Sequence, residues 1–414
     1  MAATALITLC LPRCGGSEER PARPQRDVVR EWVKLGVDVA QGEGLSPPVA
    51  ARLFAYLTLA VHEASLTPET ASAAMAPRIQ SLGGLHPPAS ALDAAAAQAA
   101  AGAVVLHSMV PGGDAAEQVD HLLAAHVAKD SKSQAPSIAH GEAVGRRIVE
   151  RAASDGYEQI LKTPYRITLA SGRWRPTPPG FGDPLEPHWG TLQPLLSAEV
   201  CPIDPPPPFD MAPGSRFRAE LDAVVEAGRA GGDSARLTAQ YWDDQPVFTA
   251  TPPGHWMAIA LEEAKRASLD VIPTAALLAR VAMAMHDSMV SAWHWKFHYD
   301  VVRPVTVMRD SGDSVWTPYL NSPPFPEYPS GHAAVSMAAA TVLTEYIRID
   351  GFTDTANQQS LGVARQYPSF EAAAQEAGWS RVLGGIHFPS GNVGGQRLGR
   401  CSAARAIAVG SGPR

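Results

Sequence analysis

The stretch that decides the fold runs over residues 255–304, HWMAIALEEAKRASLDVIPTAALLARVAMAMHDSMVSAWHWKFHYDVVRP. Apolar residues return along it at intervals of three and four, the period of a helix with a buried face. The spacing predicts one helix over 255–300, ended where Pro304 pushes Arg303 out of helical geometry. Runs of the same period recur near 27–41, 47–65, 89–110, 114–129, 138–154, 215–230, 331–349 and 392–409. Strand-like alternation is scarce, so the chain reads as all-α. Residues 162–213 break the pattern, because WRPTPPGFGDPLEP (174–187) and CPIDPPPPFD (201–210) form an extended proline-rich connection. The expected architecture is two helical bundles, over 27–161 and 214–414, with 1–26 as a separate N-terminal segment.

Three segments of the second bundle collect residue types that grip a tetrahedral oxyanion: WKFHYDVVRP (295–304), YPSGH (328–332) and SRVLGGIH (380–387). Lys296 and Arg303 are seven residues apart, which on a helix places them on one face, two turns from each other. Basic residues near a helix C-terminus are also favoured by the dipole alone. Ser330 is an expected N-cap for the apolar run that follows, and Gly331 lets the backbone approach closely, so this helix start is a ready anion site. His332 falls in its first turn. Arg381 adds a fork of donors suited to phosphate-like oxygens, and His387 follows a glycine pair.

Together these segments resemble the signature of the vanadium-dependent haloperoxidases and of the type 2 phosphatidic acid phosphatase superfamily that shares their site. That pattern is Lys, six residues and Arg-Pro; then Pro-Ser-Gly-His; then Ser-Arg, several residues and Gly-x-His. Lys296, Arg303-Pro304, Pro329-Ser330-Gly331-His332, Ser380-Arg381 and Gly385-Ile386-His387 fill it in order. TPPGHW (251–256), YWDD (241–244) and EPHWG (186–190) look like flanking blocks of soluble bacterial members, so the likeness covers roughly 170–410.

The resemblance implies a role for each residue. Lys296, Arg303 and Arg381 would neutralise the oxygens of bound vanadate, while Ser330 and the Gly331 N–H donate to it. His387 would be the axial ligand of vanadium and His332 the acid/base, with Lys296 polarising peroxide. Three cations facing an anion of two to three charges leave little net buried charge. The implied reaction takes hydrogen peroxide and a halide to a hypohalous acid equivalent, with the metal acting as a Lewis acid. A small organic acceptor would complete the set of partners. The same cage accepts phosphate, so an acid phosphatase with His387 as nucleophile is the alternative, and an anion-binding protein without chemistry a third reading.

Two departures matter. Many relatives carry an Asp four residues after the last His; here that place is Gly391, followed by Asn392, so a backbone carbonyl or Asn392 is expected behind His387. The missing carboxylate weighs against the phosphatase. Asp244 resembles the carboxylate that pairs with the second site Arg, so it is expected to hold Arg381. Phe325 and Trp293 match apolar residues on the halide side of chloroperoxidase-like members, and the expectation is chloride or bromide.

The remaining composition frames this site. An apolar share of 45% and a charged share of 18% are those of a globular protein, and a formal charge of −7 argues against nucleic acid. No uninterrupted apolar run is long enough to span a membrane. MAATALITLCLPRCGG resembles a remnant of an export signal, and export to the cell envelope or beyond is the expected location. Of four cysteines only Cys201 and Cys401 lie in the body, from which no disulfide framework follows.

Overall fold

The computed structural model describes residues 27–409 except 87, 90–91 and 128–131; the export-signal reading of 1–26 lies outside the described residues. The helices before the proline-rich segment are α1 (Val28–Gly42), α2 (Pro47–Ala64), α3 (Ala94–Met109), α4 (Gly113–His126), α5 (Ala135–Ala153) and the short α6 (Tyr157–Ile160). After it come α7 (Arg216–Ala230), α8 (Gly232–Tyr241), α9 (Thr251–Arg266), α10 (Val271–Tyr299), α11 (Pro304–Asp310) and α12 (Gly331–Tyr346). The chain ends with β1 (Phe352–Asp354), α13 (Gln358–Leu361), β2 (Arg365–Tyr367), α14 (Phe370–Leu383) and α15 (Pro389–Ala408). β1 and β2 pair antiparallel. The protein is all-α apart from this small hairpin, as its periodicity requires.

Local signals set the helix starts. Asp27, Asp93, Ser215, Ser330 and Ser369 each accept a backbone N–H of the first turn with their own side chain. The single helix expected over 255–300 is two. Ser268 takes φ +53 between them, and Pro273 stands in the first turn of α10, where it has no hydrogen bond to break. Pro273 was the sign of the break.

α10 is the axis of the fold. Its 29 residues span about 44 Å, and most of them are buried. A helix apolar on nearly every side must be covered all round, and α2, α9, α12 and α15 cover it. A large hydrophobic core therefore runs from Val28 to Val409, with smaller clusters around Phe217 and Leu320 beside it. α12 and α15 lie so close that a Cβ on Gly395 would sit 2.3 Å from the Ser330 carbonyl oxygen. Only glycine permits that approach, and it places the start of α12 against α15.

The proline-rich segment is pinned to α10 by polar groups in the middle of that helix. Asp287 accepts from the Leu195 and Leu196 N–H groups at 2.9 and 2.8 Å, and Ser291 accepts from Cys201 N at 3.0 Å. Gly190 of EPHWG rests on the α10 backbone at His294, with room for no side chain. Cys201 is joined to Cys401 on α15 by a disulfide, so one bridge exists where the sequence implied no framework.

Candidate oxyanion site

Lys296 lies in the last turn of α10, which ends at Tyr299 because Asp300 adopts φ +53. Arg303 therefore does not share a helix face with Lys296, as the spacing suggested. It is the residue before α11, in extended geometry, with Pro304 at the first helical position. The turn between them brings both cations against one ring: Lys296 Nζ is 4.9 Å and Arg303 Cζ 5.1 Å from the centre of Phe325. Trp293 closes the same wall, 5.0 Å from Phe325 between ring centres. The expected apolar residues thus flank the cations.

Each cation is fixed by backbone oxygens. Lys296 Nζ donates to Pro326 O at 2.9 Å and Glu327 O at 3.0 Å. Arg303 donates through Nε to Phe325 O at 3.0 Å and through Nη1 to Ile386 O at 2.7 Å. Arg381, on α14, donates through Nη1 to Trp242 O at 2.9 Å and through Nη2 to an Asp243 carboxylate oxygen at 3.2 Å. This corrects the expectation for Asp244. That residue has φ +46, and its carboxylate is taken up by His255 at 3.0 Å. Asp243 is the carboxylate that holds Arg381.

His387 follows α14 across a tight turn in which Gly385 takes φ +80, a conformation that favours glycine. Its Nε2 is 3.2 Å from Arg303 Nη1. Its Nδ1 is 2.7 Å from Glu327 Oε1, which also accepts Phe388 N at 3.0 Å. Glu327, not Asn392 or a carbonyl, is the group behind this ring. Its signal was an acidic residue between two prolines in PFPEYPSGH, three positions before the cap Ser330. Ser330 opens α12 with Gly331, and its Oγ accepts Ala333 N at 3.3 Å. His332 follows in the first turn, beside Arg381.

Burial governs the electrostatics. It lowers Lys296 well below the usual lysine range, and Arg303 beside it lowers it further. Burial likewise brings Arg303 down to about 9. Burial and the neighbouring cations hold His332 and His387 neutral, well below ordinary histidine values. Burial raises Glu327 to about 7 against the pull of Arg303 and Lys296. Such a cluster is short of negative charge.

The atoms left over say what it is short of. Among the described residues, Arg303 Nη2, Arg381 Nε, His332 Nε2 and Glu327 Oε2 are buried with no hydrogen-bond partner. Buried donors without acceptors are costly, and the two guanidinium N–H groups belong to residues expected to face an oxyanion. The residues present fit a tetrahedral oxyanion such as vanadate or phosphate.

A helical bundle with this cage defines a class, and the comparisons with known proteins agree on it. The family model for the VCPO second helical-bundle domain matches residues 276–411. The crystal structure of a bacterial vanadium-dependent iodoperoxidase superposes with a TM-score of 0.83 at 30% identity, covering 92% of this chain and 96% of that one. Vanadium chloroperoxidase of Curvularia inaequalis is 29% identical over 164 residues, 31% of this chain and 27% of the relative's length. An apo bacterial vanadium-dependent chloroperoxidase shares the fold at 16% identity, with a TM-score of 0.68 over 89% of this chain and 95% of that one. The chain belongs to the vanadium-dependent haloperoxidase family. Among the described residues no helix is long and apolar enough to cross a membrane.

Proposed function

We propose that this protein binds vanadate in the cage and oxidises a halide with hydrogen peroxide to a hypohalous acid equivalent. The observation that carries this reading is the state of His387. With Nδ1 against the Glu327 carboxylate, the proton belongs on Nδ1, and Nε2 presents a lone pair among the site cations. That is what a ligand to a Lewis-acidic centre requires. Bound vanadate would supply a Lewis-acidic centre that polarises peroxide without changing oxidation state.

The chain's own residues do the rest. Lys296, Arg303 and Arg381 offset the anion's charge, and Ser330 with the Gly331 N–H serves its oxygens. A neutral His332 would hold a proton taken from hydrogen peroxide at Nε2, as a general base. Phe325 and Trp293 exclude water from the cations, which strengthens their hold on a halide. The full-length likeness to an iodoperoxidase adds iodide to the chloride and bromide suggested by the aromatic wall. The disulfide between Cys201 and Cys401 supports export to an oxidising compartment.

Glu327 also favours a second reading. A nucleophilic histidine gains from an anionic partner, and the carboxylate missing at 391 is supplied from 327. Phosphate monoester hydrolysis at the same site therefore loses the objection raised by Gly391. Substitution separates the two. His387→Ala abolishes vanadate-dependent halide oxidation and His332→Ala lowers it severely, whereas a phosphatase hydrolyses p-nitrophenyl phosphate and is inhibited by added vanadate. Full halide-oxidising activity in either variant would contradict the assigned roles.

A further inference from the structure

His255, from the TPPGHW block, plays no part in the chemistry above, yet it sits in a buried charged array outside the cage. Its Nδ1 is 3.0 Å from both carboxylate oxygens of Asp244, and its Nε2 is 2.8 Å from Asp354 Oδ2. All three side chains are buried. Ionised carboxylates only accept hydrogen bonds, so both ring nitrogens donate and the ring is an imidazolium. Burial alone would lower its pKa, but the two carboxylates raise it to about 10.

The array leads to Arg381 through one short segment. The indole of Trp242 stacks on the His255 ring at 4.5 Å between centres and 14° between planes. Asn357 Nδ2 donates to Tyr241 O at 2.7 Å and to Asp244 Oδ1 at 3.0 Å. Residues 241–244 are thus held from both ends and from one ring face. The two Arg381 acceptors, Trp242 O and Asp243 Oδ1, belong to that segment. Trp242 Nε1 also donates to Glu376 Oε1 at 3.0 Å, on the helix that carries Arg381. With Nη1 and Nη2 committed, the guanidinium has a set plane and its Nε is left for a ligand.

We propose that the Asp244–His255–Asp354 array is a positioning unit for the anion site, clamping residues 241–244 so that Trp242 O and Asp243 hold Arg381 with Nε facing the bound oxyanion. The proposal rests on the reading of the cage as an oxyanion site. His255 does not touch the ligand. It acts through Asp244 and Trp242 on the Arg381 acceptors, and its charge is what lets two buried carboxylates, distant in sequence, stand on either side of one ring.

The test is calorimetric binding of orthovanadate, and separately of inorganic phosphate, to phosphate-free protein. His255→Gln leaves two buried carboxylates without a cation, so the variant that keeps folding in reach is His255→Gln with Asp354→Asn. One carboxylate then remains, and the net buried charge is the same as in the native array, where two negative groups face one positive ring. This double variant is expected to bind both anions on the order of tenfold more weakly. Adding Asp243→Asn is expected to cost little more, because the array acts through that residue; losses that multiply as independent factors would overturn the proposal. So would native affinity in a folded double variant. A stability control, Ile148→Ala in the first bundle, is expected to keep native affinity, and an equal loss there would show that the effect is merely structural. Failure of the native protein to bind either anion would overturn the reading of the cage, and the proposal with it.

Discussion

Glu327 Oε1 lies 2.7 Å from His387 Nδ1 and occupies the space that a side chain at position 391 would fill: a Cβ on Gly391 would come within 2.2 Å of that oxygen. The carboxylate expected four residues after the histidine arrives instead from another segment, and Gly391 leaves the room that it fills.

Glu327→Gln is therefore expected to weaken orthovanadate binding by about 10–100-fold, as removal of a histidine's outer partner does elsewhere. Glu327→Ala combined with Gly391→Asp is expected to recover part of that affinity. Gly391→Asp alone, with both carboxylates in one space, is expected to lower thermal stability. Calorimetric titration of the three variants checks this, and no recovery in the double variant would count against the exchange.

Asp243→Asn is expected to weaken vanadate binding with little loss of stability, because Asp243 is partly exposed and its ion pair with Arg381 is at 3.2 Å. Asp244→Asn is expected to cost about 3–5 kcal/mol of stability, the cost of breaking a buried pair, and to weaken vanadate binding as well, because the His255 array acts through it. Denaturant melts beside binding isotherms separate the two. The reverse pattern would restore Asp244 as the partner of Arg381.

Phe325→Ala removes the ring that touches both Lys296 and Arg303. The halide KM is expected to rise several-fold while vanadate affinity changes less, at a stability cost of about 3–5 kcal/mol for a buried Phe. Steady-state kinetics with varied halide decide it. An unchanged halide KM would remove Phe325 from the halide pocket.

The His255 array also sets a pH dependence. Its folded pKa of about 10 exceeds the ordinary 6.5, so the folded state binds the extra proton between them. The stability it contributes is fully present below pH 6.5 and lost as the pH rises towards 10. Native protein is expected to lose thermal stability across that window. The His255→Gln, Asp354→Asn variant is expected to lose that share of the decline, and parallel curves for the two proteins would show that the ring does not titrate there.

The site residues were legible because the motif fixes residue types at fixed spacings. Lys296, Arg303, Ser330, His332, Arg381 and His387 converge as the pattern implied. Glu327 was not, since its partnership with His387 spans 60 residues and depends on how the loop before α12 packs. Asp243 and Asp244 are neighbours whose roles are divided by one positive φ, which no spacing reveals. Long helices were legible from period. The short α8 and α11 carry too few turns to show a face, α14 was masked by the motif it carries, and three-residue strands show no alternation.

Vanadate-dependent halide oxidation is decided by halogenation of monochlorodimedone by purified, phosphate-free protein with hydrogen peroxide and iodide, bromide or chloride, before and after addition of orthovanadate. Turnover is expected only with orthovanadate and with at least one halide. No turnover with any halide, from protein shown by titration to have bound vanadate, would contradict halide oxidation and turn the search to phosphoryl transfer at the same cage.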